Sequence, residues 1–198
     1  MKACAPRIWG RLSSSVSHLL YTDAAGAGGL GATLVLADNP RTAVLTLSGV
    51  VPAEELTSLL YPRLDDDQDL FGFALPQPNA IYLLELFAVL ASLRKLSPLL
   101  QYARLVIFID NEAAKSALIK GDSGSTMARW IVSECWHILA STSAHAWFER
   151  VPSLSNPADA PSRGLPLTVP SSLVMRWEPA ELKAPSGHSA VATAFPRV

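Results

Sequence analysis

The first half of the chain alternates short apolar stretches with turn-forming residues, a pattern that predicts β-strands joined by tight turns. One apolar stretch runs from His18 to Thr22, ends at Asp23 and is followed by a glycine-rich turn. Two further strands are predicted at about 31–36 and 42–50, separated by an Asp-Asn-Pro turn. Three consecutive strands joined in this way form an antiparallel meander.

The second half of the chain has longer segments with helical spacing, interrupted by apolar runs. The continuous apolar run 105–109 is typical of a strand buried on both faces. Helices are predicted at 80–96, 111–119 and 125–140, with a strand at 144–151 and a short helix from Asn156. The resulting order, βββ-α-β-α-α-β-α, indicates a mixed α/β fold in which helices pack on one sheet.

Composition favours one domain with appendages. The chain has 198 residues, 49% of them hydrophobic, and 16 basic against 17 acidic residues. A net charge of −1 argues against a protein that binds nucleic acid through bulk positive charge. An acidic insertion at about 52–78 carries a net −5, leaves +4 on the rest, and is expected to be a solvated loop. We expect a linker at 1–16, the domain at 17–164 and a loosely packed tail at 165–198.

The cysteine count and the hydropathy indicate in which kind of cellular compartment the protein is expected. Cys4 and Cys135 are too few for a disulfide framework, which favours a reducing compartment. No apolar run reaches the roughly 18 residues that a membrane span requires. We therefore expect a soluble intracellular protein, cytoplasmic or nuclear, that is neither secreted nor membrane-bound.

Two short motifs match active-site signatures but lack the required context. Gly26-x-Gly28-x-x-Gly31 matches the dinucleotide fingerprint, yet a strand rather than a helix follows it, so a hairpin turn is the better interpretation. Residues 121–125, Gly-Asp-Ser-Gly-Ser, resemble the nucleophile loop of trypsin-like proteases. Since the predicted elements do not form a double β-barrel, we expect Gly121 to end one helix and Ser123 or Ser125 to cap the next.

Four carboxylates remain as candidates for chemistry: Asp23, Glu85, Asp110 and Asp159. Glu85 lies among Leu and Phe residues, and no Lys or Arg lies one helical turn away from it. Because an ionised carboxylate in apolar surroundings is costly unless it is paired or bound to a cation, a divalent metal is its natural partner. Structural roles remain open for each: a turn former for Asp23, an exposed helix position for Glu85, and helix N-termini for Asp110 and Asp159.

Four stretches of the sequence give it a family resemblance. They are Tyr21-Thr22-Asp23-Ala24-Ala25, Leu84-Glu85-Leu86-Phe87-Ala88, Ile107-Phe108-Ile109-Asp110-Asn111 and the segment 151–163 with its Asn-Pro-Ala-Asp and Pro-Ser-Arg. The chain resembles the ribonuclease H domain of retroelement reverse transcriptases, from about 17 to 164. The resemblance implies a ribonuclease H-like, five-stranded mixed sheet with helices on both faces. It also implies that the four carboxylates Asp23, Glu85, Asp110 and Asp159 converge on two Mg²⁺ or Mn²⁺ ions.

The same resemblance implies an activity: metal-dependent endonucleolytic hydrolysis of the RNA strand of RNA/DNA hybrids during retroelement reverse transcription. Two hard cations can activate a water on one side of a phosphodiester and stabilise the leaving oxygen on the other. Asn111, Ser162 and Arg163 are expected to contact phosphate or sugar, and a reverse transcriptase domain is expected as a partner in cis or in trans. Many such enzymes carry a His in the loop before the last helix, whereas residues 152–155 contain none.

Other functions remain possible from the sequence. Proofreading exonucleases of this fold usually need Asp-x-Glu on the first strand, where this chain has Ala25 in the second acidic place. Transposases and integrases do not account for the Asn-Pro-Ala-Asp segment. A catalytically inactive scaffold, or a nucleic-acid-binding module that accompanies a reverse transcriptase, is the main alternative. Stabilisation by Mn²⁺ discriminates between them, because a scaffold does not need a preformed metal site.

Overall fold

The fold was analysed in a computed structural model that describes residues 17–36, 44–60, 80–165 and 172–185. Within these ranges the strands are β1 (His18–Ala24), β2 (Gly29–Val35), β3 (Val44–Val50), β4 (Arg104–Ile109), β5 (His145–Arg150) and β6 (Ser172–Met175). The helices are α1 (Ala53–Leu60), α2 (Ala80–Leu96), α3 (Glu112–Lys120), α4 (Thr126–Ser141) and α5 (Asp159–Ser162). Short 3₁₀ turns occupy Ser97–Leu99 and Ser153–Ser155.

The strands form one mixed sheet in the order β5-β4-β1-β2-β3-β6. β1, β2 and β3 pair in antiparallel fashion as the predicted meander, while β4 is parallel to both β1 and β5. Tyr21 of β1 lies opposite Phe108 of β4. Because these two strands run in the same direction, the residues that follow, Asp23 and Asp110, come to the same edge of the sheet. The predicted mixed α/β fold with the order βββ-α-β-α-α-β-α is confirmed, with two additional elements.

Helices cover both faces of the sheet. α2 packs on β1 and β2 and also contacts α3 and α4, α3 packs on β4 and β5, and α5 packs on β1, β2 and β3. Successive strand residues point to opposite faces. Gly29 and Gly31 of β2 approach the backbone of α5, and the intervening Leu30 is fully buried in the hydrophobic core. The sheet therefore lies between the hydrophobic core on one face and the short helix α5 on the other.

Both misleading motifs have the structural roles expected of them. Gly28 has a φ of 83° in the turn between β1 and β2, a conformation that glycine adopts without strain. Gly121 ends α3 with a φ of 70°, and the Ser125 side chain caps α4 by accepting a hydrogen bond from the N–H of Ala128. Neither segment forms a nucleotide site or a nucleophile loop.

The prediction that the acidic insertion is a solvated loop is wrong for its first part. Its first part is α1, which has Leu59 fully buried and Leu56 packed against the core. Leu56 and Leu59 lie three residues apart and so share one face of the helix, which the acidic composition of the segment concealed. The remainder of the insertion, residues 61–79, and the predicted linker 1–16 lie outside the described residues.

The tail was wrongly predicted to be loosely packed throughout. β6 adds a sixth strand, parallel to β3, so the sheet extends beyond residue 164. The following residues pack back on the helices: Trp177 and Leu182 are buried, and Arg94 of α2 donates to the carbonyls of Glu181 and Lys183. A strand of four residues at a sheet edge has too short an apolar pattern to be recognised from sequence. Residues 166–171 and 186–198 lie outside the described ranges.

Truncation of Trp177 tests this packing. The residue is only 7% exposed, and its ring lies over Gly49, where a Cβ would be 3.2 Å away. Trp177→Ala should therefore cost about 3 kcal/mol of unfolding free energy through the cavity it leaves. The matched control is Leu173→Ala on β6, where the side chain is 61% exposed. Denaturant unfolding should show a loss for the first variant and almost none for the second. Equal stabilities would mean that the segment 172–185 does not contribute to the core.

No helix within the described residues is long and apolar enough to cross a bilayer.

Candidate metal centre

Three carboxylates meet at the edge of the sheet where β1 and β4 end. Asp23 comes from β1, Asp110 directly follows β4, and Glu85 comes from the helix packed beneath them. One oxygen from each of the three lies within 4.8 Å of the others. Three acids that are more than 20 residues apart in sequence are thus brought into the range in which one cation can contact all of them.

Glu85 is the most deeply placed member of this cluster. It lies in α2, which is buried along most of its length, and it is only 3% exposed. Its Oε1 accepts a long hydrogen bond of 3.4 Å from the N–H of Ala24, and no donor among the described residues meets its buried Oε2. A buried carboxylate oxygen without a partner is costly, because it has lost its contact with water and gained none in return.

Neutral donors hold the other two carboxylates. Ser162 Oγ donates to Asp23 Oδ2 at 2.5 Å, and Asn156 Nδ2 donates to Asp23 Oδ1 at 3.3 Å. Ser153 Oγ donates to Oδ2 of the half-buried Asp110 at 2.9 Å. Hydroxyl and amide donors orient a carboxylate without cancelling its charge, as a Lys or Arg partner would. The negative charge of both residues therefore stays available to a cation.

Burial and mutual repulsion disfavour the ionised state of the cluster. Burial is the largest of the causes that together raise the pKa of Glu85 to about 9; the negative charges of Asp110 and Asp23 and a hydrogen bond from protonated Glu85 to Asp110 act in the same direction. Burial also raises the pKa of Asp23 to about 6, against the hydrogen bond from Ser162, which lowers it. A divalent cation reverses this balance, since it favours the deprotonated form of every ligand.

Mg²⁺ or Mn²⁺ fits this donor set. Both ions prefer carboxylate oxygens, and the described residues bring no Cys or His into the cluster that would favour zinc. The oxygen of Glu85 that has no partner is the atom a cation would satisfy. The predicted metal ligands Asp23, Glu85 and Asp110 therefore form a chemically consistent site for a hard divalent ion.

The pH dependence of stability tests the protonation of this cluster. In the metal-free protein Glu85 and Asp23 keep protons up to pH values of about 9 and 6, whereas in the unfolded chain both release them near about pH 4. The native state then binds more protons, so unfolding free energy should fall as pH rises from about 5 to 9, by roughly 1 kcal/mol per pH unit for each group while it titrates. Glu85→Gln should remove most of this slope. Thermal melts with the exposed Glu54→Gln as control would check it, and an unchanged slope in Glu85→Gln would contradict it.

Asp159, the predicted fourth ligand, does not join this cluster. It begins α5, and its Oδ1 accepts hydrogen bonds from Arg163 Nε at 3.0 Å and Arg163 Nη2 at 2.7 Å, one helical turn further on. Arg163 itself is exposed. Asp159 remains near enough for its charge to raise the pKa of Asp23. In this arrangement the ion pair lies beside the three-carboxylate cluster rather than in it.

The other predicted contact residues also have defined positions. Asn111 caps α3, and its side-chain oxygen accepts from the N–H of Ala114 at 3.0 Å. Ser162 is buried and binds Asp23, so its hydroxyl does not face a substrate. Ser153 and Asn156 were not predicted as partners of the carboxylates, although both lie in the segment 151–163. The last helix was expected to start at Asn156, but α5 starts at Asp159 with Ala158 before it. The Asn156 side-chain oxygen accepts from the N–H of Ala158, and its Nδ2 donates to the Thr22 carbonyl and to Asp23 Oδ1.

Comparison with solved structures shows a similarity in fold. The crystal structure of RNase H1 from the halophilic archaeon Halobacterium salinarum NRC-1 is similar to this chain, with a TM-score of 0.45 and 15% sequence identity. The match covers 73% of this chain and 92% of that chain. No model of a protein family matches the sequence, and no curated protein matches it either. The geometry of the carboxylates themselves is therefore the basis for a functional assignment.

Proposed function

We propose that this chain is a metal-dependent endonuclease of the ribonuclease H type that hydrolyses the RNA strand of RNA/DNA hybrids. The observation that carries the proposal is the convergence of Asp23, Glu85 and Asp110 to within 4.8 Å, with one buried oxygen of Glu85 left without a partner. A scaffold gains nothing from three acids placed so close together, because their repulsion and burial destabilise the fold. Binding of divalent ions turns this cost into a stabilising contact.

The chemistry follows from what the residues can hold. When bound, Mg²⁺ or Mn²⁺ supplies an activated water and stabilises the leaving oxygen of a phosphodiester. Asp23, Glu85 and Asp110 would hold the ions through their carboxylate oxygens, and Asn156 and Ser153 fix the directions of the Asp23 and Asp110 side chains. Asp110 is the most accessible of the three carboxylates, so we place the scissile phosphate on its side of the cluster.

Arg163 is the candidate for a contact with substrate. Its guanidinium is exposed and is held by Asp159 at the rim of the site, where a phosphate oxygen of the nucleic acid would meet it. The preference for a hybrid rests on the resemblance of four sequence stretches to ribonuclease H domains. The retroelement context and a reverse transcriptase domain as partner are proposed on the same basis. In this interpretation Asp159 orients Arg163, and it would ligate a second ion only after leaving that pair.

Cleavage of matched substrates tests the function. The purified chain is incubated with a labelled RNA/DNA hybrid, duplex RNA or duplex DNA of the same sequence, in Mg²⁺, Mn²⁺ or chelator. We expect cuts within the RNA strand of the hybrid, in either metal, and none in chelator. Cleavage of duplex DNA with equal efficiency would overturn the proposed substrate while keeping the nuclease.

An inactive scaffold predicts a different pattern. It would cleave none of the three substrates, and Mn²⁺ would not raise its melting temperature. A catalytic domain that requires its polymerase partner would also cleave nothing alone, but Mn²⁺ at about 100 times its dissociation constant would still stabilise it by about 2.7 kcal/mol. Asp110→Asn should reduce that stabilisation, which separates a metal site from non-specific ion binding.

A further inference from the structure

Ser162 is buried, although the next residue, Arg163, is exposed. It is the last residue of α5, and its side chain turns inward so that the residue is only 3% exposed. Its hydroxyl lies 2.5 Å from Asp23 Oδ2 and 2.8 Å from the carbonyl oxygen of Asp159. A hydroxyl has one proton to donate, and an ionised carboxylate is the stronger acceptor of the two. The hydroxyl of Ser162 is thus committed to Asp23.

The position of Ser162 depends on a close approach between α5 and the sheet. A Cβ at Gly31 would lie 2.4 Å from the N of Ser162, and a Cβ at Gly29 would lie 2.1 Å from its carbonyl oxygen. Ser48 Oγ of β3 also donates to the Pro161 carbonyl at 2.8 Å. The two glycines therefore allow the backbone of α5 to lie against the strands, and this close approach, to which Ser48 adds one hydrogen bond, carries the Ser162 hydroxyl to the end of β1.

We propose that Ser162 is a positioning residue for the metal centre: its hydroxyl fixes the Asp23 carboxylate in the direction that meets Glu85 and Asp110. The proposal rests on the proposed function only in assuming that these three acids bind a divalent ion. A neutral donor suits this role, because it restricts rotation of the carboxylate and leaves its charge for the cation. Partners of this kind typically contribute about 10–100-fold to metal affinity. The role differs from the substrate contact predicted for Ser162 from the sequence.

Mn²⁺ affinity, measured without nucleic acid, tests the proposal. Binding is followed by the electron paramagnetic resonance signal of free Mn²⁺ at one fixed pH, for the wild-type chain, Ser162→Ala and Ser162→Cys. The Cys variant keeps the side-chain shape but has only a weak donor. We expect both variants to bind Mn²⁺ about 10–100-fold more weakly than the wild type. The structural control is Ser48→Ala. The Ser48 hydroxyl also bonds α5, but it donates to a backbone carbonyl rather than to a carboxylate. This variant should retain wild-type Mn²⁺ affinity even where its melting temperature falls.

The outcomes separate this role from the enzymatic one. Wild-type affinity in Ser162→Ala would overturn the positioning role, whatever the chain cleaves. Equal weakening in Ser162→Ala and Ser48→Ala would also overturn it, since the effect would then come from the packing of α5. Weakened Mn²⁺ binding in the Ser162 variants alone would support the positioning role, even in a chain that cleaves no hybrid by itself. If the wild type binds no Mn²⁺, both proposals fall.

Discussion

Asp110→Asn is expected to lower hybrid cleavage by at least about a thousandfold, because the loss of a metal ligand removes several kcal/mol of transition-state stabilisation and each 1.4 kcal/mol is a factor of ten. The fold should not suffer. Asn has the shape of Asp, Asp110 is half-buried, and the negative charge that opposes ionisation of Glu85 and Asp23 disappears. The expected melting temperature is therefore equal to that of the wild type or slightly higher in the absence of metal.

The matched control changes an exposed aspartate. Asp122 lies between α3 and α4, where its carboxylate accepts from the N–H of Ser123 at 2.7 Å, outside the three-carboxylate cluster. Asp122→Asn makes the same chemical change and should leave the initial cleavage rate within about twofold of wild type. The rates of both variants are compared in Mg²⁺ and in Mn²⁺. Retained activity in Asp110→Asn would remove this residue from the catalytic site.

Gly31→Ala is expected to destabilise the fold strongly although it adds a single methyl group. The added Cβ would lie 2.3 Å from the carbonyl oxygen of Ala158 and 2.4 Å from the N of Ser162, and both are backbone atoms that cannot rotate away. The helix α5 must therefore move off the sheet. We expect a loss of about 3 kcal/mol, at the upper end of the range for overpacking, and a melting temperature lower by about 10 °C. Mn²⁺ affinity should fall as well, because Ser162 would leave Asp23.

Gly26→Ala provides the comparison, at a glycine in the turn between β1 and β2. No atom lies within 4 Å of the position that its Cβ would take, so the methyl group meets no neighbour. This variant should match or slightly exceed the wild type in stability, because alanine restricts the unfolded chain. Thermal melts and Mn²⁺ titrations of both variants check the contrast. Equal stability of the two would mean that α5 does not lie against β2 as described.

Much of the fold could be predicted from local patterns. The run at 105–109 has no polar residue, which is typical of a buried strand, and it forms β4, where Leu105, Ile107 and Ile109 are buried and the residues between them are half-buried. Gly121 and Ser125 carry the chemistry of a helix end and a helix cap, and they serve as such. Where the signal was weak, prediction failed: β6 has four residues at a sheet edge, and acidic residues concealed the packed face of α1.

The candidate site was predictable to the extent that strand ends determine it. Asp23 and Asp110 lie at the same ends of two neighbouring parallel strands, and Glu85 is conspicuous as an acid in an apolar helix. The roles of Asp159 and Ser162 were not accessible in this way. Which side of a four-residue helix faces the site depends on how it lies on the sheet, and that is determined by the glycines of β2. The motif therefore identified the segment, while tertiary contacts decided which of its side chains reaches the acids.

The central claim is that Asp23, Glu85 and Asp110 form one divalent-metal site, and its most direct test is anomalous diffraction from crystals of the chain soaked in Mn²⁺. The prediction is a Mn²⁺ peak in contact with oxygens of all three carboxylates, including the Glu85 oxygen that otherwise lacks a partner. The peak should be absent in crystals of Glu85→Gln. Mn²⁺ bound elsewhere, with no density between the three acids at a concentration that supports cleavage, would contradict the claim.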